Sequence, residues 1–189
     1  MIASPLQLAW RLGLLGVVVV LVQVAAVSQI EIFGANADLT PLVVASAGLL
    51  AGSLPGAAFG FGIGLFLDLA LVQTVGMSSL LFLTIGYGAG RLRELRDPQG
   101  AAVPIAVGAA ATLIAQLGFS LMQFLLGREV PLDIEIVWEL VVTVGLGALL
   151  ATPVHALVRR WLLPVLPEDP RRRRRRAYTT GGLSPLSRA

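Results

Sequence analysis

Of the 189 residues, 56% are hydrophobic and 13% charged, and the mean hydropathy is +0.84, far more apolar surface than one soluble core could bury. A transmembrane helix needs roughly 20 apolar residues to cross about 30 Å of hydrocarbon, so this length holds at most about six or seven crossings and no sizeable soluble domain. Cysteine is absent and all 14 cationic residues are arginine, which excludes disulfides and thiolate chemistry.

Apolar stretches between turn and charge signals predict six helical spans. Spans two and three are separated only by a Ser-Leu-Pro turn at 53–55, and spans three and four by residues 73–76, so these three form a tight antiparallel meander. The predicted fold is all-α: a polytopic transmembrane bundle of about six spans within residues 1–166. The spans are 8–27, 39–54, 56–72, 77–90, 101–126 and 136–163.

The first apolar stretch also has features of a secretory signal, since Arg11 precedes it and Val24-Ala25-Ala26 is a small-residue cleavage pattern. We favour a retained transmembrane helix, because the apolar run is long and its basic N-terminal region is weak.

Arginine placement orients the predicted bundle, because cytoplasmic loops collect positive charge and short exported loops do not. If the N-terminus is cytoplasmic, only Arg128 falls on the exported side. Both ends of the chain are therefore expected in the cytoplasm. The arginines placed inside are Arg11, Arg91, Arg93, Arg96, Arg159, Arg160, the run at 171–176 and Arg188.

Residues 167–189 contain six consecutive arginines and a Gly-, Ser- and Thr-rich end, a composition that cannot bury a core. We expect a disordered, basic cytoplasmic tail. Each arginine near anionic lipid contributes on the order of 1 kcal/mol, enough for the run to lie along the headgroups. Docking to an acidic partner is the alternative. The run consists of Arg171, Arg172, Arg173, Arg174, Arg175 and Arg176.

Glycines recur every four residues from Gly48 to Gly64, and Asp68 continues the interval. A four-residue step on a helix turns about 400°, so Gly56, Gly60, Gly64 and Asp68 lie along one ridge of span three. A neighbouring backbone can approach such a ridge closely, which in lipid favours association through van der Waals contact. The helix in contact belongs either to this chain or to another membrane protein.

Asp68 is the one acidic residue predicted inside a span, away from its ends. A buried carboxylate is costly unless it is paired, hydrogen-bonded or protonated. An interhelical hydrogen-bond network is expected, and the alternatives are a contact with a ligand or partner and an ion or proton relay. The polar side chains predicted at a similar level are Gln23, Gln116, Gln123 and Glu139.

The sequence carries no catalytic signal. It has no nucleophile elbow, no P-loop, no dinucleotide-binding fingerprint and no zinc-protease motif. His155 is the only histidine, and no cysteine accompanies it to build a metal site. We predict a non-enzymatic protein with no cofactor, metal or nucleic-acid partner.

Four segments within residues 38–91 carry a family resemblance. They are Asp38-Leu39-Thr40-Pro41-Leu42, the stretch AGSLPGAAFGFGIGLFLDL at 51–69, and the motifs VGMSSL at 75–80 and GYGAGR at 86–91. This region resembles the rod shape-determining protein MreD family. The family usually has Pro-Asp-Leu where this chain has Ala37-Asp38-Leu39 with the proline displaced to Pro41, so the start of span two is expected to differ.

The resemblance implies a non-enzymatic inner-membrane subunit of the bacterial cell-elongation machinery. Its implied partners are the membrane-anchored protein MreC, the RodA glycosyltransferase, a class B penicillin-binding protein and the MreB cytoskeleton. It also implies that Gly56, Gly60, Gly64 and Asp68 are motif positions with an architectural role.

The family is similar in architecture to the substrate-binding S components of energy-coupling-factor vitamin transporters, which are the alternative function. An S component is expected to present small residues on its first span to a coupling subunit, and Ala9 and Gly13 form one such pair. It would also need several aromatic or charged side chains converging on a vitamin.

Overall fold

The computed structural model describes residues 5–25, 31–32, 35–36, 38–72, 74–95, 102–127 and 134–165. Within these ranges the chain forms six α-helices and one two-residue antiparallel β pairing. The helices are α1 (Pro5–Ala25), α2 (Thr40–Ala51), α3 (Ser53–Ala70), α4 (Met77–Leu95), α5 (Ala102–Leu125) and α6 (Ile134–Leu162), and the strands are β1 (Glu31–Ile32) and β2 (Ala35–Asn36).

Four of the described helices, α1, α3, α5 and α6, are long and apolar enough to cross a membrane. Their outer faces expose large apolar side chains such as Trp10, Leu121 and Leu149, which is the pattern of a lipid-facing surface. The prediction of a helical membrane protein is confirmed. The two other helices differ from a complete span, because α2 has only 12 residues and α4 ends in a charged Arg-Leu-Arg-Glu segment.

The boundary between α2 and α3 differs from the predicted turn at 53–55. The break falls at one residue, Gly52, which has φ 104°. Glycine adopts this left-handed conformation without a steric penalty. Pro55 is already helical, because a proline in the first turn of a helix removes only an N–H that has no intrahelical partner.

Consecutive helices run antiparallel. Gly60 of α3 lies against Phe82 of α4, and Gly64 lies against Ser79, so residue numbers rise along one helix as they fall along the other. The interface between α5 and α6 has the same antiparallel arrangement. Its facing pairs are Gly108 with Ala151 and Thr112 with Gly147, between α5 and α6.

The short helix α2 lies at the centre of the bundle and contacts all five other helices. Ten of its twelve residues are buried. Twelve residues span about 18 Å, well short of the roughly 30 Å of hydrocarbon. Since α2 is apolar on every side, the surrounding helices, and not lipid, form its environment.

The last turn of α6 meets the first half of α1. The Arg11 guanidinium donates a hydrogen bond to the Trp161 carbonyl oxygen at 2.8 Å, and Trp161 Nε1 donates to the Arg11 carbonyl oxygen at 3.2 Å. The guanidinium carbon lies 5.8 Å from the Trp161 ring centre, within range of a cation–π attraction.

The ends of α2 complete this arrangement. Its start lies beside the end of α1, because the Leu39 N–H donates to Gln23 Oε1 at 3.1 Å, and its end lies beside the end of α4, because Arg93 donates to the Leu50 carbonyl oxygen. The described arginines therefore gather at one end of the bundle, here called the arginine end. They are Arg11, Arg91, Arg93, Arg159 and Arg160.

Several predicted features lie outside the described residues. These are Arg96, Arg128, the boundary at 166–167, and the tail with its arginine run at 171–176.

Candidate functional site

The glycine ridge of α3 is in direct contact with the backbone of α4. A Cβ added at Gly56 would lie 2.6 Å from the Gly86 carbonyl oxygen, and one at Gly64 would lie 2.5 Å from the Ser79 Cα. A Cβ at Gly60 would collide with the Phe82 carbonyl group. Because these neighbours are backbone atoms, they cannot rotate away, and no side chain fits on this face.

Within the described structure, the helix that covers the glycine ridge is α4 of the same chain. A transmembrane helix of another protein could reach Gly56, Gly60 and Gly64 only if α4 moved away. The ridge is thus an internal packing surface that sets the spacing between α3 and α4.

Helix α4 contributes its own glycines, which the sequence analysis did not assign to packing. A Cβ at Gly86 would collide with the Gly56 carbonyl oxygen, and one at Gly90 would collide with the backbone of Ser53. Gly48 of α2 also faces the Gly86 carbonyl oxygen. Three helices therefore meet through Gly48, Gly56 and Gly86, and the four-residue spacing of Gly86 and Gly90 is the signal that could have revealed it.

Asp68 ends the ridge and caps α4. Its carboxylate accepts hydrogen bonds from the backbone N–H groups of Gly76, at 2.8 Å, and Ser78, at 3.2 Å. The first N–H groups of a helix have no intrahelical partner and carry a partial positive charge, so a carboxylate there supplies both hydrogen bonds and favourable electrostatics. Asp68 is fully buried, and these bonds offset the cost of that burial.

The hydrogen bonds of Asp68 join α3 to the start of α4, as an interhelical network does, but their donors are backbone N–H groups and not the polar side chains predicted at its level. Gln23 accepts a hydrogen bond from the Leu39 backbone at the junction of α1 and α2, whereas Asp68 serves the α3–α4 turn. The prediction grouped polar side chains that lie at a similar depth along the predicted helices. Depth along the helices does not reveal that the backbone N–H groups of a neighbouring turn bind Asp68.

Two charged residues near the end of α4 hold the α2–α3 turn. Arg93 donates to the Leu50 carbonyl oxygen in the last turn of α2. Glu94 Oε1 accepts hydrogen bonds from Ser53 N, at 3.1 Å, and Ser53 Oγ, at 2.6 Å, in the first turn of α3. Each charge thus faces the helix end of opposite partial charge.

Electrostatics strengthen the contact of Glu94. The hydrogen bonds from Ser53, with a smaller contribution from Arg91, lower the pKa of the Glu94 carboxyl below its ordinary value. Arg91 and Glu94 form an exposed ion pair with an N–O distance of 3.3 Å. Glu94 therefore stays ionised at neutral pH, as its role at the start of α3 requires.

Asp38 and Pro41 form the start of α2. Asp38 Oδ1 accepts a hydrogen bond from the Thr40 N–H at 3.0 Å, and Pro41 lies buried in the first turn. Desolvation raises the pKa of the Asp38 carboxyl, and the hydrogen bond from the Thr40 backbone opposes that shift. The bond between Asp38 and Thr40 forms an Asx-type turn. Pro41 follows this turn and lies in the first turn of α2, where its missing N–H is tolerated.

The interface between α5 and α6 is a second surface of small residues. Thr112 Oγ1 donates to the Gly108 carbonyl oxygen at 3.0 Å. A Cβ at Gly147 would collide with Thr112, and one at Gly108 would collide with the Ala151 side chain. The glycines of this surface do not repeat at a regular interval, so their spacing does not predict it.

The described residues include no group of three or more metal-ligating side chains. His155 Nδ1 is buried and has no hydrogen-bond partner among the described residues. No protein-family model, curated protein or solved structure matches the chain.

Proposed function

We propose that this protein is a non-enzymatic, multi-pass subunit of the bacterial inner membrane that acts in the cell-elongation complex, as the resemblance to the MreD family implies. In this role it crosses the membrane six times, with both termini in the cytoplasm. It works with MreC, RodA and a class B penicillin-binding protein in controlling lateral peptidoglycan synthesis and cell shape.

The observation that carries the proposal is the structural role of the segment that bears the resemblance. Residues 38–95 form α2, α3 and α4, which are joined through glycine contacts and by the polar side chains of Asp68 and Glu94. Each of these side chains is used in internal packing or helix capping. A scaffold subunit needs such a rigid core more than it needs a reactive site.

Charge supports the proposed topology. The five described arginines lie at one end of the bundle, and cytoplasmic ends of membrane proteins collect positive charge, so we assign that end to the cytoplasm. Helix α2 does not face lipid, so it does not need the roughly 20 residues of a lipid-exposed span. Its 12 residues are therefore compatible with a chain that passes six times through the bilayer.

One observation favours the S-component alternative. Ala9 and Gly13 of α1 line an open groove together with Gly16, as a surface for a coupling subunit would. This groove alone does not supply a vitamin site, and the resemblance to the MreD family supports the first function, so we rank the S component second.

Affinity purification from native bacterial membranes in mild detergent, followed by mass spectrometry, tests the proposal. We expect MreC and cell-wall synthases to co-purify with the tagged protein. A variant with Gly60→Leu and Gly64→Leu should lose them and give misshapen cells, because the α3–α4 interface cannot close around leucine. Gly145→Leu is the matched control, since Gly145 has no atom within 4 Å of its Cβ position.

Recovery of a coupling subunit with paired ATPases in place of MreC would identify a transporter component. Normal complex yield and cell shape in the double leucine variant would contradict the packing argument.

A further inference from the structure

An open groove runs between α1 and α3 on the outer surface of the bundle. It has a volume of about 540 Å³ and is lined by apolar residues, from Leu8 to Val17 on α1 and from Pro55 to Phe66 on α3. Cβ positions at Gly13 and Gly62 have no heavy atom within 4 Å. The side chains of the described residues therefore leave this space unfilled.

The groove has the length of one membrane leaflet. The lining segments of α1 and α3 rise about 14 and 17 Å at 1.5 Å per residue. Half of the roughly 30 Å hydrocarbon layer is about 15 Å. The groove therefore covers the depth of one leaflet and stops near the bilayer centre.

The volume fits one hydrocarbon chain. If a methylene occupies about the volume of a water molecule, ~30 Å³, then 540 Å³ holds about 18 carbons.

The groove lies in the leaflet at the arginine end. Pro55 follows the α2–α3 turn directly, and Leu8 lies one turn before Arg11. One of the five N–H donors of Arg11 is used on the Trp161 carbonyl oxygen, which leaves other donors for a phosphate. Positive charge at this end also attracts anionic lipid.

From this fit of length, volume and charge, we propose that the α1–α3 groove is a binding site for one acyl chain of an anionic phospholipid of the arginine-side leaflet, with its phosphate near Arg11. The lipid takes the place of side chains between the two helices. The site requires only that the protein spans a membrane, so its test is independent of the proposed cell-elongation role.

Native mass spectrometry of the detergent-solubilised protein, after reconstitution in mixed phosphatidylcholine–phosphatidylglycerol vesicles, measures the retained lipid. We expect one phosphatidylglycerol per chain in the wild type and in Gly145→Leu. Gly62→Leu places a side chain in the groove and should reduce retention at least tenfold. Arg11→Gln should keep a lipid but reduce the preference for phosphatidylglycerol over phosphatidylcholine by about fivefold. Equal retention in Gly62→Leu and Gly145→Leu would overturn the site.

Photolabelling of the wild-type protein gives a result that does not depend on a variant folding. Phosphatidylglycerol with a diazirine in its acyl chain, in the same vesicles, should label peptides 8–17 and 55–66. Labelling spread evenly over the outer helices, or a cross-link in the groove to another polypeptide or to a second copy of this chain, would overturn the proposal.

Discussion

Gly60 and Gly62 allow a comparison of two identical substitutions on one helix. A Cβ at Gly60 would collide with the Phe82 carbonyl group, whereas a Cβ at Gly62 meets nothing within 4 Å. Alanine has a helix propensity about 1 kcal/mol better than glycine. Gly62→Ala should therefore leave the free energy of unfolding unchanged or raise it by up to about 1 kcal/mol.

Gly60→Ala should lower the free energy of unfolding. Overpacking a well-packed interface typically costs about 1–3 kcal/mol, and here α3 and α4 must move apart because the obstructing atoms are backbone. After the propensity gain of about 1 kcal/mol is subtracted, we expect a loss of up to about 2 kcal/mol. Because both variants share that gain, they should differ by the overpacking cost alone, about 1–3 kcal/mol.

Reversible unfolding in mixed detergent micelles, followed by circular dichroism, measures this difference. Both variants change the same atoms on the same helix, so altered micelle binding or altered helix propensity affects both. Equal stabilities for Gly60→Ala and Gly62→Ala would refute the conclusion that the glycine ridge sets the α3–α4 spacing.

Three further predictions concern the polar contacts. Asp68→Asn keeps one acceptor oxygen and should cost about 1–2 kcal/mol, whereas Asp68→Leu leaves two N–H groups unpaired and should cost about 3 kcal/mol or more; denaturation of both variants checks the order, and equal severe losses would show that the charge itself is required. The pKa of Glu94 is lowered in the fold, so its contribution is present above its unfolded pKa and is lost as the pH falls through the lower folded value. Acid titration of the melting temperature should therefore be flatter in Glu94→Gln, and identical titration curves would contradict a role at Ser53. Trp161→Phe removes the bond to the Arg11 carbonyl oxygen and should cost about 1 kcal/mol; an unchanged melting temperature would show that this contact does not hold α1 to α6.

The sequence predicted the helices well, because glycine, proline and charged residues mark their ends. All the predicted boundaries fall within five residues of the observed ones, and the largest difference is at Leu95, where α4 continues past the predicted 77–90. The charge of the Arg and Glu residues there predicts a loop. They remain helical because they bind the α2–α3 turn, and such tertiary contacts have no signature in a local window.

The candidate site was predicted in part. The four-residue interval placed Gly56, Gly60, Gly64 and Asp68 on one face, since helical geometry alone fixes that relationship. The helix that covers the face, the backbone partners of Asp68 and the central position of α2 were not predictable. Helix α2 is apolar on all sides, so its sequence contains no direction that distinguishes a lipid-facing surface from a buried one.

The position of α2 has a consequence for how the protein is made. An apolar helix of about 18 Å is a poor independent membrane insert, and four of the five helices that surround α2 are synthesised after it. Gly86 and Arg93, which close around α2 and its terminal carbonyl, emerge from the ribosome about 40 residues later. Until then the helix has only α1 and α3 for shelter, so a chain truncated before Met77 should be degraded by membrane proteases faster than one that includes α4.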